Sequence, residues 1–234
     1  MDTLQAFFMA NLAVVFFVYG LSFLCMFVVI MWSSRSAVSF QLVEGFLLLA
    51  CFGLLHGLTE WTDMLRLVLT SPPVLVQALS VVKLTLMVSS FQFLFLFGFY
   101  TLTAAHAESR LRWMVYLSPL LVAAYAAILF ASLADLRLGE AVGRYTLGLV
   151  GAGLAAIAFF KLAVTLRRLS LARAASDAQW VGLGFAFYAV FAGILYSPME
   201  LPIVLLGIPV QIYRAACAVL ISVFVVRILS FFRK

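Results

Sequence analysis

PVLVQALSVVKLTLMVSSFQFLFLFGFYTLT, residues 73–103, carries a single charge, Lys83, in a run longer than the ~20 apolar residues that carry a helix across a bilayer. Six comparable runs accompany it, at about 7–32, 39–61, 113–133, 143–166, 178–197 and 208–231. Hydrocarbon offers no water to backbone N–H and C=O groups, so continuous Leu, Phe, Val and Ala runs of this length must satisfy themselves as helices. A membrane barrel would show short segments of alternating hydrophobicity instead. With 66% hydrophobic and 10% charged residues, the chain departs from soluble domains, in which about a quarter of residues are charged. The expected fold is all-α: one seven-helix polytopic membrane bundle over residues 1–234, with short connections and no linker, repeat or low-complexity tract.

Charge at the run ends sets the expected orientation. Arg35, Arg110, Arg112, Arg167, Arg168, Arg173, Arg227, Arg233 and Lys234 fall on one side, against Arg66, Arg137, Arg144 and Arg214 on the other. The positive-inside rule makes the first side cytoplasmic, so the N-terminus lies outside and the C-terminus inside a plasma (inner) membrane. Asp2, Glu60, Asp63, Asp135, Glu140 and Glu200 then lie at or near the outer face. The net charge of +6 thus reports topology and attraction to anionic lipid, not nucleic-acid binding. The first run lacks a basic start and a small-residue cleavage pattern, and reads as a retained span. Cys25, Cys51 and Cys217 all fall within spans and read as packing residues.

Ionisable groups inside spans cost about 2.5–3.5 kcal/mol each at the bilayer centre on insertion scales, so the few present are the candidate site. His56, Glu60 and Asp63 stand at i, i+4 and i+7, on one face of the second helix. At ~1.5 Å rise per residue from position 39, His56 lies about 25 Å up and the face opens toward the outer surface. Arg214, in the last span, falls at a similar height and is placed to pair with Glu60. Four readings of the His56, Glu60 and Asp63 face stand open: an interhelical hydrogen-bond network, a proton-sensitive switch, polar anchors for an outer ligand, and a metal site for which one His and two carboxylates are a sparse set. Lys83 reads either as an anion or proton-relay site or as a structural contact. The Phe91–Tyr100 aromatic run reads as lipid-facing packing or as a pocket for an aromatic ligand.

No cofactor is expected. The only histidines, His56 and His106, fall at opposite membrane faces, which argues against bis-histidine haem. A retinal lysine is missing from the last span, which has none before Lys234. The sixth connection, Ser197-Pro198-Met199-Glu200-Leu201-Pro202 and the apolar residues to Pro209, reads as a lid on an outer cavity or as a turn with an early start to the last helix.

Three segments carry a resemblance. Phe17-Val18-Tyr19-Gly20-Leu21-Ser22-Phe23, Phe52-Gly53-Leu54-Leu55-His56-Gly57-Leu58-Thr59-Glu60-Trp61 and Ile208-Pro209-Val210-Gln211-Ile212-Tyr213-Arg214-Ala215-Ala216-Cys217-Ala218 together resemble the N-terminal membrane sensor region of bacterial sensor histidine kinases and diguanylate cyclases. The resemblance spans the chain in order, and His-Gly-x-x-Glu-Trp is its most specific element. It implies a last helix that continues into the cytoplasm and drives an output domain or response regulator, and a homodimer if that output is a kinase. Catalysis is not assigned to these residues. The expected sensing residues are His56, Glu60, Trp61, Asp63, Lys83, Glu200 and Arg214, with an outer or membrane-dissolved cue shifting contacts among His56, Glu60 and Arg214. A small transporter or channel with a polar path near Lys83, Gln92 and His56 is the alternative, and an integral membrane enzyme ranks third.

Overall fold

The computed structural model describes residues 3–34, 40–69, 72–103, 107–195 and 203–232. Among these described residues nine α-helices follow one another: α1 Thr3–Ala10, α2 Leu12–Ser34, α3 Phe40–Val68, α4 Pro73–Thr103, α5 Ala107–Ala134, α6 Leu136–Gly143, α7 Leu149–Arg168, α8 Ala172–Tyr188 and α9 Val210–Phe232. A π-helical turn, Arg144–Gly148, joins α6 to α7 as one continuous span, and a second, Ala189–Ile194, ends the span begun by α8. Seven of these segments are long and apolar enough to cross a membrane: α2, α3, α4, α5, the α6–α7 unit, α8 with its π turn, and α9. The only strands among the described residues are β1 Val204–Leu205 and β2 Ile208–Pro209, an antiparallel hairpin turning through Leu206 and Gly207.

Several helices run past the bounds expected from hydropathy. α3 reaches Val68 rather than stopping at Trp61, α8 starts at Ala172, and the fifth span starts at Leu136 rather than 143. In each case the apolar window ends where charges begin, yet the helix goes on. At the fifth span the Asp135 carboxylate caps the helix by accepting from Arg137 N at 2.9 Å, and Glu140 and Arg144 turn inward. The first run is broken at Asn11, whose Nδ2 donates to Phe7 O at 2.8 Å. The last helix starts at Val210, because Ile208 and Pro209 are taken up by the hairpin.

Six spans form a closed ring in the order α2, α3, α4, α6–α7, α8, α9, with α9 packed back against α2. α5, which contains Pro119, lies outside this ring against α6 and exposes Leu120, Val122, Leu129, Phe130 and Leu133. Aromatic rings fill the middle. Phe23, Phe52, Phe91, Phe159, Phe185, Tyr19 and Tyr188 are fully buried, and ring contacts run from Phe23 through Phe52 and Phe185 to Phe159 and Phe97. The phenylalanine run of α4 therefore packs inward through Phe91, Phe95 and Phe97, not chiefly toward lipid.

Close helix approach depends on small residues, as expected where lipid provides no hydrophobic drive between helices. A methyl on Gly57 would stand 2.9 Å from Gly20 O, and one on Gly98 would stand 2.6 Å from Leu154 Cβ and 2.8 Å from Ala155 N. A methyl on Gly153 would meet nothing within 4 Å. Gly98→Ala should accordingly lower stability by about 1–3 kcal/mol through overpacking, whereas Gly153→Ala should be neutral or stabilise by roughly 0.5–1 kcal/mol. Unfolding by sodium dodecyl sulfate, followed by circular dichroism, separates the two.

Candidate functional site

The polar groups of the spans gather near one end of the ring, where the chain enters through α1. An alternating ionic chain crosses three spans there. Arg66 Nη1 lies 3.1 Å from Asp63 Oδ1, Asp63 Oδ2 lies 3.0 Å from Lys83 Nζ, and Lys83 Nζ donates to Glu140 Oε2 at 3.0 Å. Glu140 Oε1 in turn accepts from Arg144 Nε at 3.1 Å and Nη2 at 2.9 Å. Lys83 is thus a structural contact within the bundle: it sits between two carboxylates from α3 and α6. The fork of Arg144 on Glu140 is the planar, charge-assisted geometry that Arg suits.

Arg144 and Arg214 also complete the end of the sixth span. Arg214 Nε and Nη2 donate to Phe191 O and Leu195 O, each at 2.7 Å, while Arg144 Nη1 donates to Ala192 O at 3.3 Å and Tyr145 OH to Ile194 O at 3.2 Å. The last carbonyls of any helix lack intrahelical donors and carry partial negative charge. Here the second π turn aims them at cations from two neighbouring spans. The expected direct pairing of Arg214 with Glu60 is not formed among the described residues, since Arg214 spends its guanidinium on carbonyls. Both side chains nevertheless line one cavity of about 10 Å³, together with Asp63, Lys83, Glu140, Arg144, Gln211 and Phe16. That volume is at the lower limit for holding a single water.

Deeper in the ring lies His56, fully buried. Its imidazole is walled by Phe23, Phe52 and Phe91 at ring-centre distances of 5.2, 5.2 and 5.3 Å. Nδ1 is 2.9 Å from Ser90 Oγ, and Nε2 is 2.6 Å from Tyr188 OH, 3.4 Å from Tyr19 OH and 3.3 Å from Glu60 Oε1. Tyr19 OH and Tyr188 OH are themselves 2.9 Å apart. Ser90 Oγ donates its proton to Met87 O at 2.7 Å, so it accepts from Nδ1–H. The neutral ring then presents an unprotonated Nε2, which accepts from Tyr188 OH.

His56, Glu60 and Asp63 do share the inward face of α3, and all three are buried. They divide into two groups: His56 with Glu60, and Asp63 with Lys83 and Arg66. Among the described residues, no three His, Cys, Asp or Glu side chains converge as a metal ion would require. Trp61 lies outside the cluster. Its Nε1 donates to Phe17 O at 3.2 Å, its ring stacks on Phe17, and it packs over Gly20, so it joins α3 to α2. Glu200, His106 and the proline-flanked segment 196–202 lie outside the described residues.

Glu140, Arg144, Ser90, Tyr19 and Tyr188 belong to the site and were not expected there. The i, i+4 spacing of Glu140 and Arg144 is the available signal, obscured because hydropathy places Glu140 in an outer connection and Arg144 at the start of the next span. Protein-family profiles, characterised proteins and solved structures were all compared with this chain, and none matches.

Removing Lys83 leaves the Asp63 and Glu140 carboxylates facing each other, each with one arginine partner, Arg66 and Arg144. Lys83→Met should cost about 3–5 kcal/mol, as breaking buried ion pairs does, and adding Asp63→Asn to it should recover part of that loss. Detergent unfolding of the single and double variants measures both.

Proposed function

We propose that the chain is the membrane-embedded signal-input domain of a bacterial receptor, sitting in the inner membrane with the N-terminus outside and the C-terminus cytoplasmic. In this reading α9 carries the signal to a cytoplasmic histidine kinase or diguanylate cyclase output, in a homodimer. The observation that supports it is the attachment of α9: near the ionic cluster, Arg214 clamps α9 to the π turn of the sixth span and lines the same cavity as Glu60. A cue that alters charge in this cavity changes what Arg214 faces, and α9 runs on from there as one continuous helix of 23 residues.

The other attachments of α9 fit a helix with two discrete packings. Ser222 Oγ donates to Ser22 O at 2.8 Å near its middle, and Arg227 pairs with Asp177 at 3.0 Å toward its far end. The Arg227 side chain is 57% exposed, so this far contact is weak and exchangeable, whereas the Arg214 clamp is buried. Toward that end α9 is held mainly by apolar packing of Ile221, Val225 and Ile228, which are buried.

One observation favours a transporter as the second reading. The π turns at Arg144–Gly148 and Ala189–Ile194 lie side by side in two spans next to buried charge, and interrupted helices beside polar groups are where transporters place their substrates. Uptake of ions or small solutes into proteoliposomes separates this reading from the first.

Reading the native gene through the codon for Lys234 tests the proposal directly. A helical linker leading into a kinase or cyclase domain supports it, and a stop codon at that point overturns direct coupling to such an output. Arg214→Gln should release the clamp, raising amide hydrogen exchange in residues 189–195 and the first turns of α9 by tenfold or more, about 1.4 kcal/mol of local opening. Exchange mass spectrometry in nanodiscs reads this.

A further inference from the structure

We infer that the contact between His56 Nε2 and Glu60 Oε1 is a proton-binding site, and that the cue to this domain is the proton itself. The inference rests on the signal-input reading only for its second half; the site stands on geometry alone.

Hydrogen-bond bookkeeping carries the argument. Ser90 gives its proton to Met87 O, Nδ1–H gives to Ser90, and Nε2 receives from Tyr188 OH. Tyr19 OH, 2.9 Å from Tyr188, can donate to the Tyr188 oxygen. Every donor around the imidazole is then used, and no proton remains between Nε2 and Glu60 Oε1 at 3.3 Å. With the carboxylate ionised, two acceptors face each other inside an aromatic box. One added proton turns this contact into a hydrogen bond, whichever atom carries it. A solvent hydronium supplies the proton: its O–H bond breaks, an N–H or O–H bond forms at the pair, water is released, and the charge of the pair passes from −1 to zero.

The surroundings fit the role. Glu60 lines the cavity that has room for about one water, so its carboxyl stands between that space and the imidazole. The groups facing His56 come from every element packed on it: Tyr19 from α2, Ser90 and Phe91 from α4, Tyr188 from α8, and Glu60 on its own helix. Farther off, Arg144 of the fifth span and Arg214 of α9 supply positive charge felt at the ring. Neutralising Glu60 removes an anion from the cavity that both arginines line. The hold on the sixth-span carbonyls and on α9 is then rebalanced, which links proton binding to the signal helix.

The test is nitrogen-15 NMR of histidine-labelled full chain in lipid nanodiscs, titrated between about pH 9 and pH 4, with spin-label distances from α9 to α3 measured in parallel. The chain has two histidines, and His106→Gln assigns their signals. At high pH, His56 is expected as the Nδ1–H tautomer. On acidification its Nε2 signal should move in one step whose midpoint shifts by about one pH unit or more, tenfold in proton affinity, in Glu60→Gln. Tyr188→Phe, which removes the donor to Nε2 and leaves Glu60 in place, should displace the same midpoint if Glu60→Gln fails to fold. An Nε2–H tautomer at high pH, no step in this range, or a step unmoved by these substitutions overturns the proton site and leaves the signal-input reading to its own test. A step without any change in the α9 distances upholds the site and overturns α9 as its signal carrier.

Discussion

Charge buried where no water can solvate it is the constraint on which this structure depends. Asp63, Lys83, Glu140, Arg144, Glu60 and Arg214 surround a space for about one water, three carboxylates against three cations. Each ion removed from water carries a desolvation penalty of several kcal/mol, recovered only if its partners are placed well. The helix register follows from this need. α3 continues to Val68 so that Asp63 can reach Lys83, the fifth span starts early so that Glu140 and Arg144 can reach inward, and α8 ends in a π turn whose carbonyls meet Arg144 and Arg214. An apolar core of the same volume would be no less stable. What the ions do in this structure is join particular turns of α3, α4 and the fifth span through Asp63, Lys83 and Glu140.

The seven spans were legible in the sequence because length and hydropathy answer directly to bilayer thickness. Their ends were less so, since hydropathy ends a span at the first charges and cannot tell a charge that meets water from one that meets another helix. Asp135 and Glu140 show the difference: both read as loop residues, yet one caps a helix and the other lies in the ionic chain. The face formed by His56, Glu60 and Asp63 was readable from i, i+4, i+7 spacing, a local property of one helix. Its partners were not, because Tyr19 and Tyr188 are 169 residues apart and meet only when the ring closes. Tyrosine in a span reads as packing, and nothing in its neighbourhood announces that its hydroxyl is needed.

The stretch His56-Gly57-x-x-Glu60-Trp61 now has a physical explanation. Two i, i+4 pairs are interleaved on α3. His56 and Glu60 face the ring interior, while Gly57 and Trp61 face α2, where Gly57 admits the Gly20 backbone and Trp61 grips Phe17 and Gly20. On α2 the adjacent residues Tyr19 and Gly20 repeat this division, Tyr19 pointing to His56 and Gly20 to Trp61. Close packing and the polar site are thus one unit. The approach of the α2 backbone that the glycines allow is what brings the Tyr19 hydroxyl to the imidazole.

A single proton is a small signal, and whether it suffices is a matter of magnitude. Moving a two-state element from 1:99 to 99:1 requires a differential affinity of about 10⁴, or roughly 5.5 kcal/mol. For a proton, that means binding constants differing by about four pH units between the two packings. Groups at a membrane surface or in water rarely differ so much, while fully buried groups shift by as much as 3–5 units according to their neighbours. A proton site meant to throw a helix between two states therefore has to be buried, walled by apolar rings and set beside charges that belong to the moving helix. On the proposed reading α9 is that helix, and the surroundings of His56 and Glu60 supply the rest: Phe23, Phe52 and Phe91 wall the imidazole and Arg214 of α9 lines the same cavity as Glu60.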